Sequence, residues 1–235
     1  MTQDPRPKTQ DPRPPAGAEA EEALVIVAKY PEVGGVKTRL AQHIGQELAS
    51  QLYLSFIRDL GAKFGQGPRP LFWAYTPAGS DFPELVNSGS RCFLQEGEHL
   101  GARLHNIFRR LFQQGYQRVA ILSSDSPQML REWIDEAFAH LFHVDVVLAP
   151  ADDGGYNLVG LKADHDVFTG ITMSTPRVLA ETMERARALN LSVHLLPTSF
   201  DVDAIEDLEK LRLFLAHSDE PLVHTRKVLG RLKGK

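Results

Sequence analysis

Five stretches hold the residue types that could do chemistry. In Ser123-Ser-Asp-Ser-Pro127 the carboxylate of Asp125 lies two serines beyond the apolar run Val119-Ala-Ile-Leu122. Ser126 can cap a following helix and Pro127 can open it, which leaves Asp125 either to shape the turn or to bind a ligand. Asp201-Val-Asp203 repeats the arrangement further along. There the spacing of Asp203 and Glu206 is that of a capping box, so one carboxylate has a structural use if it caps a helix. Two carboxylates delivered from separate strand ends would otherwise converge on one divalent cation. Hard oxygen ligands with open water positions suit Mg²⁺ or Mn²⁺ bridging substrate phosphates.

The loop Gly34-Gly-Val-Lys-Thr-Arg39 supplies the opposite charge. Glycines let backbone amides approach a phosphate, a helix N-terminus adds partial positive charge, and Lys37 and Arg39 add full charges. It is not a P-loop, because Val36 stands where that motif has glycine before the lysine. Asp152-Asp-Gly-Gly-Tyr-Asn157 lies between two strand-like runs. Asp-Gly there is a hairpin signal, and Asp153, Gly154, Tyr156 and Asn157 are equally placed to hold an acceptor. In Gly97-Glu-His-Leu-Gly101-Ala-Arg103, Gly101 would let a ligand come close and Arg103 would meet a phosphate or base; a solvated helix start reads the same way.

Such residues need a scaffold that brings several strand ends together. Ala23–Ala28 is a continuous apolar run of strand length, as expected of a strand buried on both faces. Further strands are predicted over Pro70–Tyr75, Arg91–Gln95, Gln117–Leu122, Val144–Ala149, Tyr156–Leu161 and Ser192–Leu196. Between them, helical spacing marks a segment broken near Gly45 and running on to Phe64, the stripe Leu104, Ile107, Phe108, Leu111 and Phe112, then Gln128–Leu141, Thr175–Leu189 and a helix reaching Ala216. Strands alternating with helices predict one α/β domain with a mostly parallel, doubly wound sheet covered on both faces, in which ligands bind beyond the carboxyl ends of the strands.

Composition narrows the rest. The 235 residues suit a single domain, expected over 23–217, with a disordered Pro-rich and charged tail at 1–22 and a basic extension at 218–235. Net charge is −4, which implies no general affinity for nucleic acid. Cys92 is the single cysteine, so no internal disulfide forms and a reducing, cytoplasmic setting is expected. No run is long and apolar enough for a membrane span, and residues 1–22 lack the apolar core of a signal peptide. The nine histidines show no His-Glu-x-x-His spacing. Gly-x-Ser-x-Gly, Walker A and Gly-x-Gly-x-x-Gly are all absent. Nothing fixes an oligomeric state.

Read in order, Lys29-x-Pro31 with Gly35-Val-Lys-Thr-Arg-Leu40, Ser124-Asp-Ser-Pro127, Asp153-Gly-Gly-Tyr156 with Leu158 and Gly160, and Asp201-Val-Asp203 with Asp207-Leu208 form a set. From Ala23 to Ala216 the chain resembles the glycosyltransferase-like proteins of the nucleotide-diphospho-sugar transferase superfamily that are associated with radical-SAM genes and assigned to arsenosugar biosynthesis. Lys37-Thr-Arg-Leu40, Asp125-x-Pro127 and Asp201-x-Asp203 also resemble the 2-phospholactate guanylyltransferases, and more distantly the molybdenum-cofactor nucleotidyltransferases. The resemblance implies a single-domain GT-A-type three-layer α/β sandwich. It implies phosphate binding by Lys37 and Arg39 and a Mg²⁺ or Mn²⁺ ion on Asp125 and Asp203; the residues themselves add Gly34, Gly35, Gly101 and Arg103 as phosphate-binding candidates and Lys37, Asp125 and Asp153 as catalytic ones. The acceptor, a small molecule, would lie on Asp153, Gly154, Tyr156 and Asn157. The implied donor is a nucleotide-sugar in glycosyl transfer or a nucleoside triphosphate in nucleotidyl transfer; a non-catalytic nucleotide-binding protein is the third reading.

Overall fold

The inner strands of the sheet are apolar and buried on both faces, and the layers follow from that. The computed structural model describes residues 21–86 and 90–232. Most of the tail expected over 1–22 therefore lies outside the described residues. The elements are β1 Glu22–Lys29, α1 Thr38–Ile44, α2 Gln46–Phe64, β2 Leu71–Thr76, α3 Phe82–Leu85, β3 Arg91–Leu94, α4 Leu100–Gln113, β4 Arg118–Ser123, α5 Arg131–His140, β5 Val146–Pro150, β6 Tyr156–Leu161, α6 Val178–Ala188, β7 Val193–Leu195, α7 Ile205–His217 and α8 Val223–Leu232.

The seven strands run in the order β3-β2-β1-β4-β6-β5-β7. All are parallel except β6, which is antiparallel to both β4 and β5. The Asp-Gly turn is therefore a hairpin, and its two strands slip register at Ala149/Pro150. Alternate side chains of β1 enter two cores. Leu24 and Ile26 pack with Phe56, Leu60, Phe138 and Leu211, while Ala23 and Val25 pack with Ile107, Phe108 and Ala186. Each large side chain withdrawn from water in this way contributes roughly 1.5–3 kcal/mol. The chain turns one way from β1 to β2 and β3 and then returns to place β4 on the other side of β1. The switch point, where an open sheet leaves a crevice, is thus between β1 and β4.

The structure corrects two local expectations. Helix α5 begins at Arg131, with Leu130 as its N-cap, so Ser126 and Pro127 do not start it. The first turn of α7 is held by Asp207, whose Oδ2 accepts the N–H groups of Asp203 (3.2 Å) and Ala204 (2.9 Å). The Asp203/Glu206 pair is therefore not the box, and Asp203 is released for other use. Within the span expected as a basic extension, α8 docks on α2, where the Asp59 carboxylate accepts the N–H groups of His224 (3.0 Å) and Thr225 (2.8 Å). Among the described residues no helix is long and apolar enough to cross a membrane.

Candidate active site

The loops leaving β1 and β4 meet over the switch point. Lys37 ends the first loop in a left-handed conformation, φ 49° and ψ 41°, and is 8% exposed. That conformation is uncommon for a residue with a side chain and holds the lysine against the crevice. Its Nζ forms ion pairs with Asp125 Oδ1 and, at 2.9 Å, with Asp203 Oδ1. Burial by itself would lower the pKa of Lys37, but the charges of Asp125 and Asp203 outweigh it and hold the ammonium protonated well above the usual lysine range.

The two acidic loops are fastened to each other. The N–H of Val202 donates to the carbonyl of Asp125 (2.9 Å). Gln128 Nε2 donates to the Phe200 carbonyl and to Ser199 Oγ (3.2 Å). The hydroxyl of Ser126, not needed as a cap, donates to Asp201. Burial, then the neighbouring Asp125 charge, push the Asp201 carboxyl up to about 7, with the Ser126 hydrogen bond opposing. Tyr53, reaching in from α2, accepts the Lys29 N–H (2.9 Å) and shares a 2.7 Å hydrogen bond with Ser124 Oγ. Burial, then the Asp125 charge, raise its phenol to about 12. Lys29 Nζ donates to the carbonyl of Gly35 (2.8 Å), bracing the glycine loop.

Two cavities open here and share Arg39, Asp125 and Asp203. The first, about 250 Å³, is lined by Lys29, Lys37 and Arg39 against the two shared carboxylates. The second, about 510 Å³, has Arg39 as its one cationic lining residue, facing Asp125, Asp153, Asp201 and Asp203. Tyr156 and Asn157 line it as well. Asn157 is 2% exposed, and neither its Oδ1 nor its Nδ2 has a partner among the described residues. A buried amide in that state is costly unless a ligand or water supplies the missing bonds.

The structure gathers Gly35, Lys37, Arg39, Asp125 and Asp203 at one cavity and Asp153, Tyr156 and Asn157 at the next. Four other residues singled out in the sequence line neither cavity. Gly34 shapes the loop at φ 79°. Gly101 is buried in α4, where an added Cβ would touch Met173 at 3.0 Å. Arg103 donates from Nε to the Gly97 carbonyl (3.0 Å). Gly154, at φ 89°, lies so close to Pro176 that a Cβ would sit 2.1 Å from its carbonyl oxygen. Tyr53 is a member of the site that motif reading passed over, and Lys29, Ser126 and Asp201 stand in the quoted motifs without having been given a ligand role. Asp201 had a signal in the Asp-Val-Asp triplet; Tyr53 had none, since it is one more apolar-face residue of α2.

Asp125 and Asp203 offer the donor set for a hard cation. Both engage Lys37 through Oδ1, and their side chains are 36% and 52% exposed. Each therefore keeps a second oxygen with which it could ligate a hard cation.

Comparison with known proteins fits this geometry. The family model described as "Uncharacterized protein conserved in bacteria (DUF2064)" matches residues 60–175. A protein of Desulfovibrio desulfuricans G20, assigned to the nucleotide-diphospho-sugar transferases, is 32% identical in sequence; its crystal structure superimposes with a TM-score of 0.87, covering 92% of this chain and 96% of that one. A 2-phospho-L-lactate guanylyltransferase of Methanocaldococcus vulcanius is 21% identical over 220 residues, 89% of this chain and 91% of that protein. A cytidylyltransferase of Leptospira borgpetersenii, 13% identical with a TM-score of 0.55, shares the fold.

Proposed function

The chain belongs to the DUF2064 family, and from that premise we propose that it is a divalent-metal-dependent glycosyltransferase, moving a sugar from a nucleotide-sugar to a small hydroxyl-bearing acceptor. The observation that carries this reading is the division of charge between two joined cavities. Lys29, Lys37 and Arg39 collect at the first, which suits the diphosphate of a donor. Four carboxylates and the unpartnered Asn157 amide line the second. That lining repels a phosphorylated acceptor and suits sugar and acceptor hydroxyls, which donate hydrogen bonds to carboxylates.

In this reading an acceptor hydroxyl oxygen attacks the anomeric carbon of the donor. The bond from that carbon to the phosphate oxygen breaks, and a nucleoside diphosphate leaves. Lys37 and Arg39 offset the charge that builds on the leaving oxygen. The hydroxyl proton passes to a carboxylate of the second cavity, where Asp153 and Asp201 are both placed to receive it. A Mg²⁺ or Mn²⁺ ion on Asp125 and Asp203 would supply Lewis-acid stabilisation of the same phosphates. Asn157 would orient the sugar or acceptor through its two buried polar atoms.

The crowding of cations at the first cavity favours a second reading, nucleotidyl transfer from a nucleoside triphosphate, and the guanylyltransferase similarity supports it too. The released product separates the two: nucleoside diphosphate in the first case, pyrophosphate in the second. The test is a thermal-shift screen of nucleotide-sugars and nucleoside triphosphates with and without Mg²⁺ or Mn²⁺, followed by product analysis. A ligand at a hundred times its dissociation constant stabilises by about 2.7 kcal/mol, a shift of roughly 5–11 °C for a chain of this size. Metal-dependent stabilisation by one nucleotide-sugar, lost in Asp125→Asn, is the expected result. The same pattern with a triphosphate moves the assignment to nucleotidyl transfer. No metal-dependent shift with any nucleotide overturns both.

A further inference from the structure

We propose that Glu136, His140 and His194 form a second, separate metal site, one that takes a borderline transition-metal ion of the Zn²⁺ type and ties the end of α5 to the edge strand β7. Glu136 and His140 stand four residues apart, so they share one face of the last turns of α5. His194 comes from β7 and pairs in register with Val147 of β5. Val147 belongs to the core beneath α5, so strand alternation turns His194 to the same side. A ligand atom from each of the three residues lies within 4.8 Å of the other two.

The two imidazoles stack face to face, 3.4 Å between centroids and 16° between planes, so a turn of one ring about its side-chain bonds brings both in-plane nitrogen lone pairs to one ion. His140 Nε2 is 3.8 Å from Glu136 Oε1, too far for a hydrogen bond. Neither ring has a hydrogen-bond partner among the described residues. Both rings thus keep nitrogens available on a surface where His140 and Glu136 are still 36% and 43% exposed. Two imidazole nitrogens and a carboxylate are a Zn²⁺-type donor set, and three protein ligands leave a position for water.

This site is distant in the fold from the one described above. His140 ends the helix that feeds the start of β5, whereas Asp125, Asp153 and Asp201 follow the carboxyl ends of β4, β5 and β7. Strand β7 has three residues and, among the described residues, no neighbour on its outer side. An ion shared with α5 would secure the weakest-held strand of the sheet, and with it the lead-in to the Ser199–Asp203 loop.

The experiment uses the full chain without a polyhistidine tag, stripped with chelator and titrated with Zn²⁺ and with Co²⁺ as a spectroscopic probe. One equivalent should bind, Co²⁺ should show the visible ligand-field bands of a nitrogen/oxygen site, and Zn²⁺ should raise the melting temperature. Because loss of a mere outer-shell partner of a metal site weakens binding about 10–100-fold, loss of a direct ligand in His140→Ala or His194→Ala should exceed about 100-fold. Asp125→Asn should bind Co²⁺ as the wild type does. His194→Gln keeps a polar side chain on the strand and guards against a folding defect; its metal-free melting should match the wild type while its Zn²⁺ response is lost. Absence of any stoichiometric binding overturns the proposal. So does binding of wild-type affinity that survives in a His140→Ala/His194→Ala protein, or that disappears with Asp125→Asn.

Discussion

Lys37 and Asp203 lie 166 residues apart in sequence, yet Nζ and Oδ1 are 2.9 Å apart in the fold. Asp125 completes the contact from the β4 loop. One buried cation thus ties the first loop of the chain to the loop that opens α7, at the point where the order of the strands reverses. Removing the charge should affect chemistry more than folding, since both carboxylates are partly exposed and can be hydrated. Lys37→Met is expected to lower turnover by roughly 10²–10³, as for loss of one group that stabilises a transition state. Steady-state kinetics beside a circular-dichroism melt checks it, and a melt that collapses with activity would mark the pair as structural.

Asp201 should make stability fall as pH rises. Its folded pKa is about 7, against about 3.9 for an unfolded aspartate. The folded state therefore holds a proton that the unfolded state gives up. That contribution is fully present below about pH 4 and is lost as pH climbs through 7. Asp201→Asn should gain on the wild type over this window, by on the order of 2 kcal/mol at pH 8. Urea unfolding of both proteins at pH 5 and pH 8 measures it.

Asp145 has the opposite sign. Burial would raise its pKa, but hydrogen bonds from the Ser192 N–H (2.8 Å) and hydroxyl (2.5 Å), with Lys162 beside it, bring it down to about 2. The stabilisation is present above about pH 4 and is lost as pH falls towards 2. Asp145→Asn should cost about 1–2 kcal/mol at neutral pH and converge with the wild type at the acid end. The bond clasps β5 to β7, so hydrogen exchange should show the loss first at Val193–Leu195.

Gly154→Ala should be among the worst single-methyl changes in the chain. The position is at φ 89°, and the new Cβ would sit 2.1 Å from the Pro176 carbonyl oxygen. Strain of this kind costs about 1–3 kcal/mol. The hairpin must also shift, taking Asp153 and Tyr156 with it. Kinetics should show a raised KM for acceptor together with a lower melting temperature; an unchanged KM would mean that the hairpin does not position the acceptor.

By itself the sequence determined the scaffold. Apolar runs of strand length, alternating with 3.6-residue stripes, specify a covered, mostly parallel sheet, because each such run can be stable only when buried on both faces. The Asp-Gly turn specified the antiparallel hairpin, and the acidic and glycine-rich stretches stood at strand ends where ligands bind. Which carboxylate does which job was decided only by the tertiary structure. Ser126 reads as a helix cap until α5 starts five residues later and the hydroxyl turns to Asp201. Asp203 reads as half of a capping box until Asp207 takes that role. Tyr53 and the Glu136/His140/His194 cluster carry no motif at all. Local spacing records what neighbours along the chain do for each other. Contacts such as Lys37 with Asp203, or His140 with His194, join residues from elements far apart in sequence, and they exist only once the strand order is set.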